Sequence, residues 1–507
     1  MLVRRQLSVL MRRNLFRSLG SEIGFYPSRG FISDESDNHE VHNQKSSHTK
    51  MKAIALAVGI ATTAAVTWEA IDSKNMNVDP EFIKMLKRYM KDNFEGLALP
   101  KQIIQQLAFL QANAIKTSES NVRLANKEPD NLHIEIKRAL TRWYCLKLLL
   151  DGGVEAYQKF TRAQSNAEKL SNDSFEVLSR FLNRLSPAAK HVIEITCFLT
   201  ISDHAKDLAK TNNAKFSPDS EKFLTDTITQ CIDIYPAVAL LNAEAKNLLP
   251  AAYLPDTHGR HMLYTEGGNN MFAELRKRFR EKSISDAEYQ IWFARWIINI
   301  AGFRGHENPH GSLYLTEKTA LALFDLCDEI DRLKRNSEYD VLSGYLHIRA
   351  KNLGVKNLYL AHLGASMRLY TKEQGSELQA WFDALAQSHQ VQLVQGYDKI
   401  RKTLKVTPTY QVAVLDNLLA LGCSIAETLN IHAKISARAE RAYTDDINEH
   451  KISASTPLCF REIAFKENLL PIVEVYRASG EIPLLHLDAQ GNVLWHKVDY
   501  EHVASLR

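Results

Sequence analysis

The sequence predicts an all-α protein. It reads as a multi-helix globular body with a small β-hairpin appendage at the C-terminal end, preceded by a targeting-like leader and one transmembrane helix. Three observations carry that reading. From residue 79 onward, apolar residues recur at the helical period in run after run. The spacers between those runs hold the Gly, Pro and Asn that stop helices. Short aliphatic and aromatic runs replace the helical stripe only after residue 466. With 507 residues, 45% hydrophobic and 24% charged, the chain has an ordinary globular composition and room for a sizeable core.

The leader, residues 1–33, carries Arg4, Arg5, Arg12, Arg13, Arg17 and Arg29 against the single acid Glu22. Val3, Leu7, Leu10 and Leu15 form one apolar stripe beside the arginines. An Arg-rich, Ser-bearing, acid-poor amphipathic start has the character of a mitochondrial presequence, and "SRGFIS" is similar to a presequence cleavage site. Residues 34–50 form a polar linker with the composition of a disordered segment. Within 51–70, the sixteen residues from Ala53 to Trp68 carry no charge. That is just short of the roughly 17–25 a spanning helix needs. Trp68 suits an interfacial anchor, and Lys45, Lys50 and Lys52 lie on the near side. The expectation is a single anchor in the mitochondrial inner membrane, with the body on the side opposite the N-terminus. A bacterial membrane protein or a secreted effector is the alternative. If Met51 is the true start, the same residues read as a signal peptide.

The helical body, residues 79–465, opens with Asp79-Pro80, an N-cap followed by Pro at the first helical position. Phe82, Ile83, Leu86, Tyr89 and Met90 then line one face. Comparable runs cover Lys101–Ala114, Ile134–Leu150, Ser174–Leu185, Ala188–Ala209, Glu221–Ile234, Ala287–Ile300, Glu317–Arg335, Ser376–Ala386 and Gln411–Asn430. In the appendage, residues 466–507, the runs "PIVEVYR", "IPLLHLD" and "VLWHKV" read as strands between Pro471 and Val498. The last two are joined by the hairpin loop "AQGN".

Charge limits the partners. The formal charge of +4 belongs to residues 1–52, which hold nine Lys/Arg and five Asp/Glu; the remainder carries 54 of each sign. A neutral body argues against nucleic acid. Six separated cysteines offer no zinc knuckle, redox pair or disulfide framework and read as buried thiols. The sequence contains no phosphate-cradling P-loop, dinucleotide fingerprint, nucleophile elbow or HExxH pair.

The polar residues that could carry chemistry fall into three pieces. An apolar stretch beginning at His191 ends in Ser202, Asp203, His204, Ala205 and Lys206. The segment "DTHGRHMLYTEGGNN" supplies His258, His261 and Glu266. "FRGHENPHGSLYLTE" supplies His306, Glu307, Asn308 and His310. Imidazole and carboxylate from distant helix ends are suitable donors for a divalent metal, which could activate water.

The stretch "FLTISDHAK" resembles the apolar helix ending in HDxxK of the HD superfamily of helical metal-dependent phosphohydrolases. "NIAGFRGHENPHGSLYLTE" is similar to a segment of uncharacterised helical proteins from intracellular bacteria of the Legionella kind. The resemblance implies a divalent metal and phosphoester hydrolysis. It also implies an altered ligand set, because Ser202 stands where the HD histidine belongs and Asn299 where the final aspartate belongs. Asp203, His204, His258, His261, His306 and His310 are then the candidate pocket or metal residues.

Turn and cap chemistry explains much of the same sequence. Asn308-Pro309 and Gly311 reverse the chain, and Thr316 with Glu317 opens a helix. Two functional readings follow. One is a membrane-anchored helical protein that binds a protein partner and has no catalysis of its own. The other is an HD-like metal phosphohydrolase with an altered ligand set, in which the named histidines converge.

Overall fold

In the computed structural model, the described residues are 78–94, 97–114, 132–199, 228, 235–253, 259–401, 408–453, 456 and 458–495. The leader, the linker, the apolar run at 51–70, almost all of Glu221–Ile234, and Asp203, His204 and His258 lie outside them. Among the described residues there are eighteen α-helices and one two-stranded antiparallel sheet. None of those helices is long and apolar enough to cross a membrane.

The first helices follow their sequence signals closely. α1, Pro80–Asn93, is capped by the Asp79 carboxylate, which accepts from the Glu81 amide at 3.0 Å. It buries Phe82, Ile83, Leu86, Tyr89 and Met90. α2 is Lys101–Ala114. α3, Ile134–Asp151, starts at His133, whose Nδ1 accepts from the Glu135 amide at 3.2 Å. It stops where Gly152 takes φ +65°. α4 (Gly153–Phe160), α5 (Asn172–Asn183) and α6 (Pro187–Thr196) follow. The run expected to continue from Ala188 to Ala209 leaves α-helix at Thr196 and turns.

A 3-10 turn at Leu249–Tyr253, α7 (Ala243–Leu248) before it and α8 (Gly259–Leu263) after it lead to α9 (Asn270–Glu281). α10, Asp286–Gly302, opens with a complete capping box between Ser285 and Glu288. It is apolar almost all round, as a helix at the centre of a large core must be. α10 lies against α3, and Gly302 sets how close they come: a Cβ there would sit 2.7 Å from the Arg142 backbone nitrogen.

α11 (Glu317–Ile330), α12 (Glu338–Leu353), α13 (Leu358–Ser366), α14 (Lys372–Asp383) and α15 (Gln387–Arg401) complete the main layer of helices. The run expected as one helix over Gln411–Asn430 is two: α16 (Gln411–Ala420) and α17 (Ile425–Asn448), divided where Gly422 takes φ +80°.

These two helices serve two cores. Val412, Leu415, Ile425 and Leu429 join the main core. Val414, Leu418, Ile431 and Ile435 instead meet Phe460, Leu469, Ile472 and Val493 in a second one. The β appendage is therefore smaller than the sequence suggested, and it does not stand alone. Pro471–Arg477, expected as a strand, lies within α18, Lys466–Ser479. Leu469, Ile472, Val473 and Tyr476 follow the helical spacing, and their burial outweighs the β-branched composition and the interior Pro471. Only β1 (Leu485–Leu487) and β2 (Val493–Trp495) remain as strands. Cys459 ties them to the body: its amide donates to Gly491 O at 3.0 Å, and its carbonyl accepts from Val493 N at 2.8 Å. Of the described cysteines, Cys145, Cys197, Cys327 and Cys423 are buried and Cys459 is half-buried, all with free thiols.

Candidate functional site

The loop between α10 and α11, Phe303–Thr316, is where two of the three polar pieces meet, and it is firmly anchored. Gly305 passes so close to α3 that any Cβ would collide with the Thr141 side chain. Asn308 Oδ1 accepts from the His310 amide at 3.0 Å, closing the turn around Pro309. Gly311 takes φ +118° with its α-carbon facing the end of α4, where a Cβ would lie 2.5 Å from Lys159 O and from Phe160 O. The Ser312 amide donates to Phe160 O at 2.8 Å and its hydroxyl to Ala301 O at 2.8 Å. Gln164 Nε2 donates to Ser312 O and Leu315 O at 2.7 and 3.0 Å. The expected Thr316 cap accepts no bond from a helix amide; its hydroxyl lies 3.4 Å from that of Thr319. Glu317 instead accepts from the Ser171 amide at 2.8 Å, which joins the starts of α11 and α5.

His306 faces α3. Its Nδ1 accepts from Arg138 Nε at 3.2 Å, and its Nε2 lies 3.8 Å from Glu307 Oε1. Burial, joined by the neighbouring Arg138, pushes its pKa down to about 4, so the ring is neutral at physiological pH. Arg138 also binds Glu135, which in turn takes Arg142 Nη2 at 3.2 Å. Burial alone would raise the Glu135 carboxyl, yet the two guanidiniums hold it far below the ordinary carboxylate range. One carboxylate thus serves two arginines.

The other side of the loop is aromatic. Tyr314 shares a hydroxyl–hydroxyl hydrogen bond with Tyr264, and the Arg368 guanidinium lies over both rings, at 5.5 and 4.7 Å. Arg368 is paired with Asp416 on α16. Burial raises the Tyr264 hydroxyl well above its usual range, and Tyr314 adds to the effect. Next to Tyr264, the Thr265 hydroxyl lies 2.8 Å from His362 Nδ1. Glu266 accepts from the Tyr410 amide at 2.7 Å and stands 3.7 Å from His261 Nε2. Thr265, Arg368 and Tyr410 all have positive φ, at 58°, 55° and 65°. Left-handed backbone at three side-chain-bearing residues is costly, and surrounding bonds must hold it in place.

The expected pocket residues therefore divide. His261 belongs to the aromatic side and His306 to the basic side, while His310 is half-buried in the turn. Among the described residues no group of three or more His, Cys, Asp or Glu side chains could hold a metal ion. Asp203, His204 and His258 lie outside the described residues, and Asn299 is half-buried on α10. Around His306 the donor set suits a cation poorly: Arg138 occupies Nδ1 and, with Arg304 and Lys137, presses on the ring electrostatically, against the single opposing pull of Glu135. Sequence reasoning missed Glu135, Arg138, Tyr264, Tyr314 and Arg368. The first two sit one helical turn apart on α3, which is the spacing of a pairing on one face. Nothing local marks Arg368.

The family model described as "Family of unknown function (DUF6829)" matches residues 104–430. The chain belongs to this family. The matched segment begins inside α2 and ends inside α17, so it holds both sides of the loop but not α18 or the hairpin. No curated protein and no solved structure matches the chain.

Proposed function

We propose that this DUF6829 protein is a membrane-tethered helical factor that acts by binding a protein partner and performs no catalysis of its own. The supporting observation is the state of His306. Its Nδ1 lone pair is already taken by the Arg138 guanidinium, which presses on the ring more than the opposing Glu135 does. A Lewis-acidic metal needs that lone pair and a negative surrounding. The tether rests on the uncharged run from Ala53 to Trp68 and the destination on the basic leader, which together favour the mitochondrial inner membrane.

The test uses the full chain purified in detergent. Elemental analysis should find no stoichiometric metal, and an activated phosphodiester with added Mn²⁺ or Mg²⁺ should not be hydrolysed above background. Near-stoichiometric metal that a His306→Ala/His310→Ala variant loses, together with turnover, would overturn the reading in favour of an HD-like phosphohydrolase built on Asp203, His204, His258 or His261. For the tether, alkaline carbonate should leave the full chain with membranes and release a variant lacking residues 51–70. Release of both would remove the anchor. For the partner, cross-linking in intact membranes should give a defined adduct larger than the chain, and a chain that stays monomeric would count against it.

A further inference from the structure

The outer face of α1 carries charge of one sign. Lys84, Lys87, Arg88 and Lys91 fall at helical spacing into a single stripe, about 100° wide. That stripe lies opposite Phe82, Ile83, Leu86, Tyr89 and Met90, which the helix buries. Lys84, Arg88 and Lys91 are exposed and Lys87 is half-buried. Lys84 stands 3.6 Å from Glu81, with both side chains largely in solvent. Lys87, Arg88 and Lys91 form no ion pair among the described residues. The acids of this segment stand aside: Asp79 is engaged as the cap, Glu81 lies in the first turn, and Asp92 falls on the flank of the stripe.

The rest of the chain does not share this excess. Beyond residue 52 the two signs balance, at 54 each. α9 is also rich in basic residues, yet its Arg276 is paired with Glu338 and its Arg278 with Glu274. The helix dipole accounts for Lys91, in the last turn of α1, but not for Lys84 or Arg88. What remains is a positive excess along about 10 Å of helix, turned away from the core.

Position supplies the partner, and here the inference rests on the membrane tether proposed above. Val78 follows Trp68 by ten residues, a reach of at most about 35 Å. A tether ending at Trp68 therefore holds α1 near the bilayer at high effective concentration. Anionic headgroups attract Lys and Arg that come within a Debye length of the surface. The neutral remainder of the body gives nucleic acid, the other common polyanion, no comparable complement.

We propose that Lys84, Lys87, Arg88 and Lys91 seat the outer face of α1 on anionic lipid headgroups of the membrane that holds the tether, and so fix which side of the body faces the bilayer.

Lysine acetylation of the full chain in nanodiscs, read by mass spectrometry, tests this. The discs are phosphatidylcholine alone, or equal parts phosphatidylcholine and phosphatidylglycerol. In the anionic discs, Lys84, Lys87 and Lys91 should react at least about tenfold more slowly than in neutral discs, since each cation at such a surface favours contact roughly fivefold. Exposed Lys282 and Lys351 should react alike in both, and added sodium chloride should abolish the difference. In a Lys84→Gln/Arg88→Gln/Lys91→Gln variant, Lys87 is the reporter: its protection should vanish while the melting temperature stays that of wild type. Equal reactivity of the α1 lysines in both discs, equal slowing of Lys282 and Lys351, or undiminished protection of Lys87 in the variant would each overturn the seating. Should the variant fail to fold, Arg88→Gln alone takes its place, and protection of Lys87 equal to wild type overturns it equally. A chain that does not co-elute with either disc removes the tether and this inference with it, whereas co-elution without protection removes the seating alone.

Discussion

Arg138 Nε donates to Nδ1 of His306 across 168 residues of sequence. The bond fixes the tautomer, since an accepting Nδ1 leaves the neutral ring's proton on Nε2, facing Glu307.

The His306 pair predicts an acid-sensitive contribution to stability. The folded pKa, about 4, lies below the ordinary histidine value, so between pH 6.5 and 4 the unfolded chain holds more protons. Stability therefore falls as pH drops through that window. His306→Gln, which keeps an acceptor for Arg138 without a titrating ring, should remove on the order of 1–2 kcal/mol of this loss, after discounting for the solvent the ring still meets. Urea midpoints at pH 7 and pH 4.5 measure it. His432, also pushed down to about 4 by burial, would remain as a second contributor. A variant with the wild-type pH slope would refute the assignment.

Asp325 and Asp328 on α11 should act in the opposite direction. Burial pushes both up to about 6, and for Asp328 the neighbouring carboxylates Asp331 and Asp325 add to it. Here the folded state holds more protons between about pH 4 and 6. Stability is then lost as pH rises through that interval. Asp328→Asn should flatten that decline, and in His306→Gln the decline should emerge more steeply than in wild type. The same urea series, extended to pH 4, 5 and 6, reads both effects.

The Tyr264–Tyr314 hydroxyl pair should show coupling. Each single change to Phe leaves the other buried hydroxyl short of its partner, which costs about 1–3 kcal/mol. The double change removes both ends and should cost less than the sum, with a coupling on the order of 1 kcal/mol. Additive losses would mean that each hydroxyl has a better partner elsewhere.

Glycines give a sharp contrast. Gly311→Ala must fit a Cβ against two backbone carbonyls at φ +118° and should destabilise by several kcal/mol, roughly 3 or more. Gly396→Ala, within α15 and with nothing within 4 Å of its Cβ, should stabilise by up to about 1 kcal/mol. Thermal melts of the two variants should move in opposite directions.

Much of this was legible in the chain. Asp79-Pro80 announced α1 correctly, and Lys101–Ala114 was bounded to the residue, because local caps and periodicity decide those helices. α18 was misread because its aliphatic run is short and begins at a proline, while its helical stripe extends on both sides of that proline. α9 was missed because charge crowds a stripe of only Met271, Phe272 and Leu275. In the loop, the Asn308 turn and the demand for Gly311 were readable, since both are local backbone chemistry. The partners of His306 and Tyr314 were not. Arg138 and Tyr264 reach them only through packing of distant helices, and no spacing rule encodes that. Asp203, His204 and His258 lie outside the described residues.

The double-sided burial of α16 and α17 carries a consequence for how the C-terminal region fails. Each helix is a party wall, holding up the rooms on both sides. A cut before Lys466 would strip Leu469, Ile472 and Val493 from Val414, Leu418, Ile431 and Ile435, while Val412, Leu415 and Leu429 still gripped the larger half. Damage to the hairpin should therefore be felt well inside the matched segment, and calorimetry of the intact chain should record the two cores melting as one event.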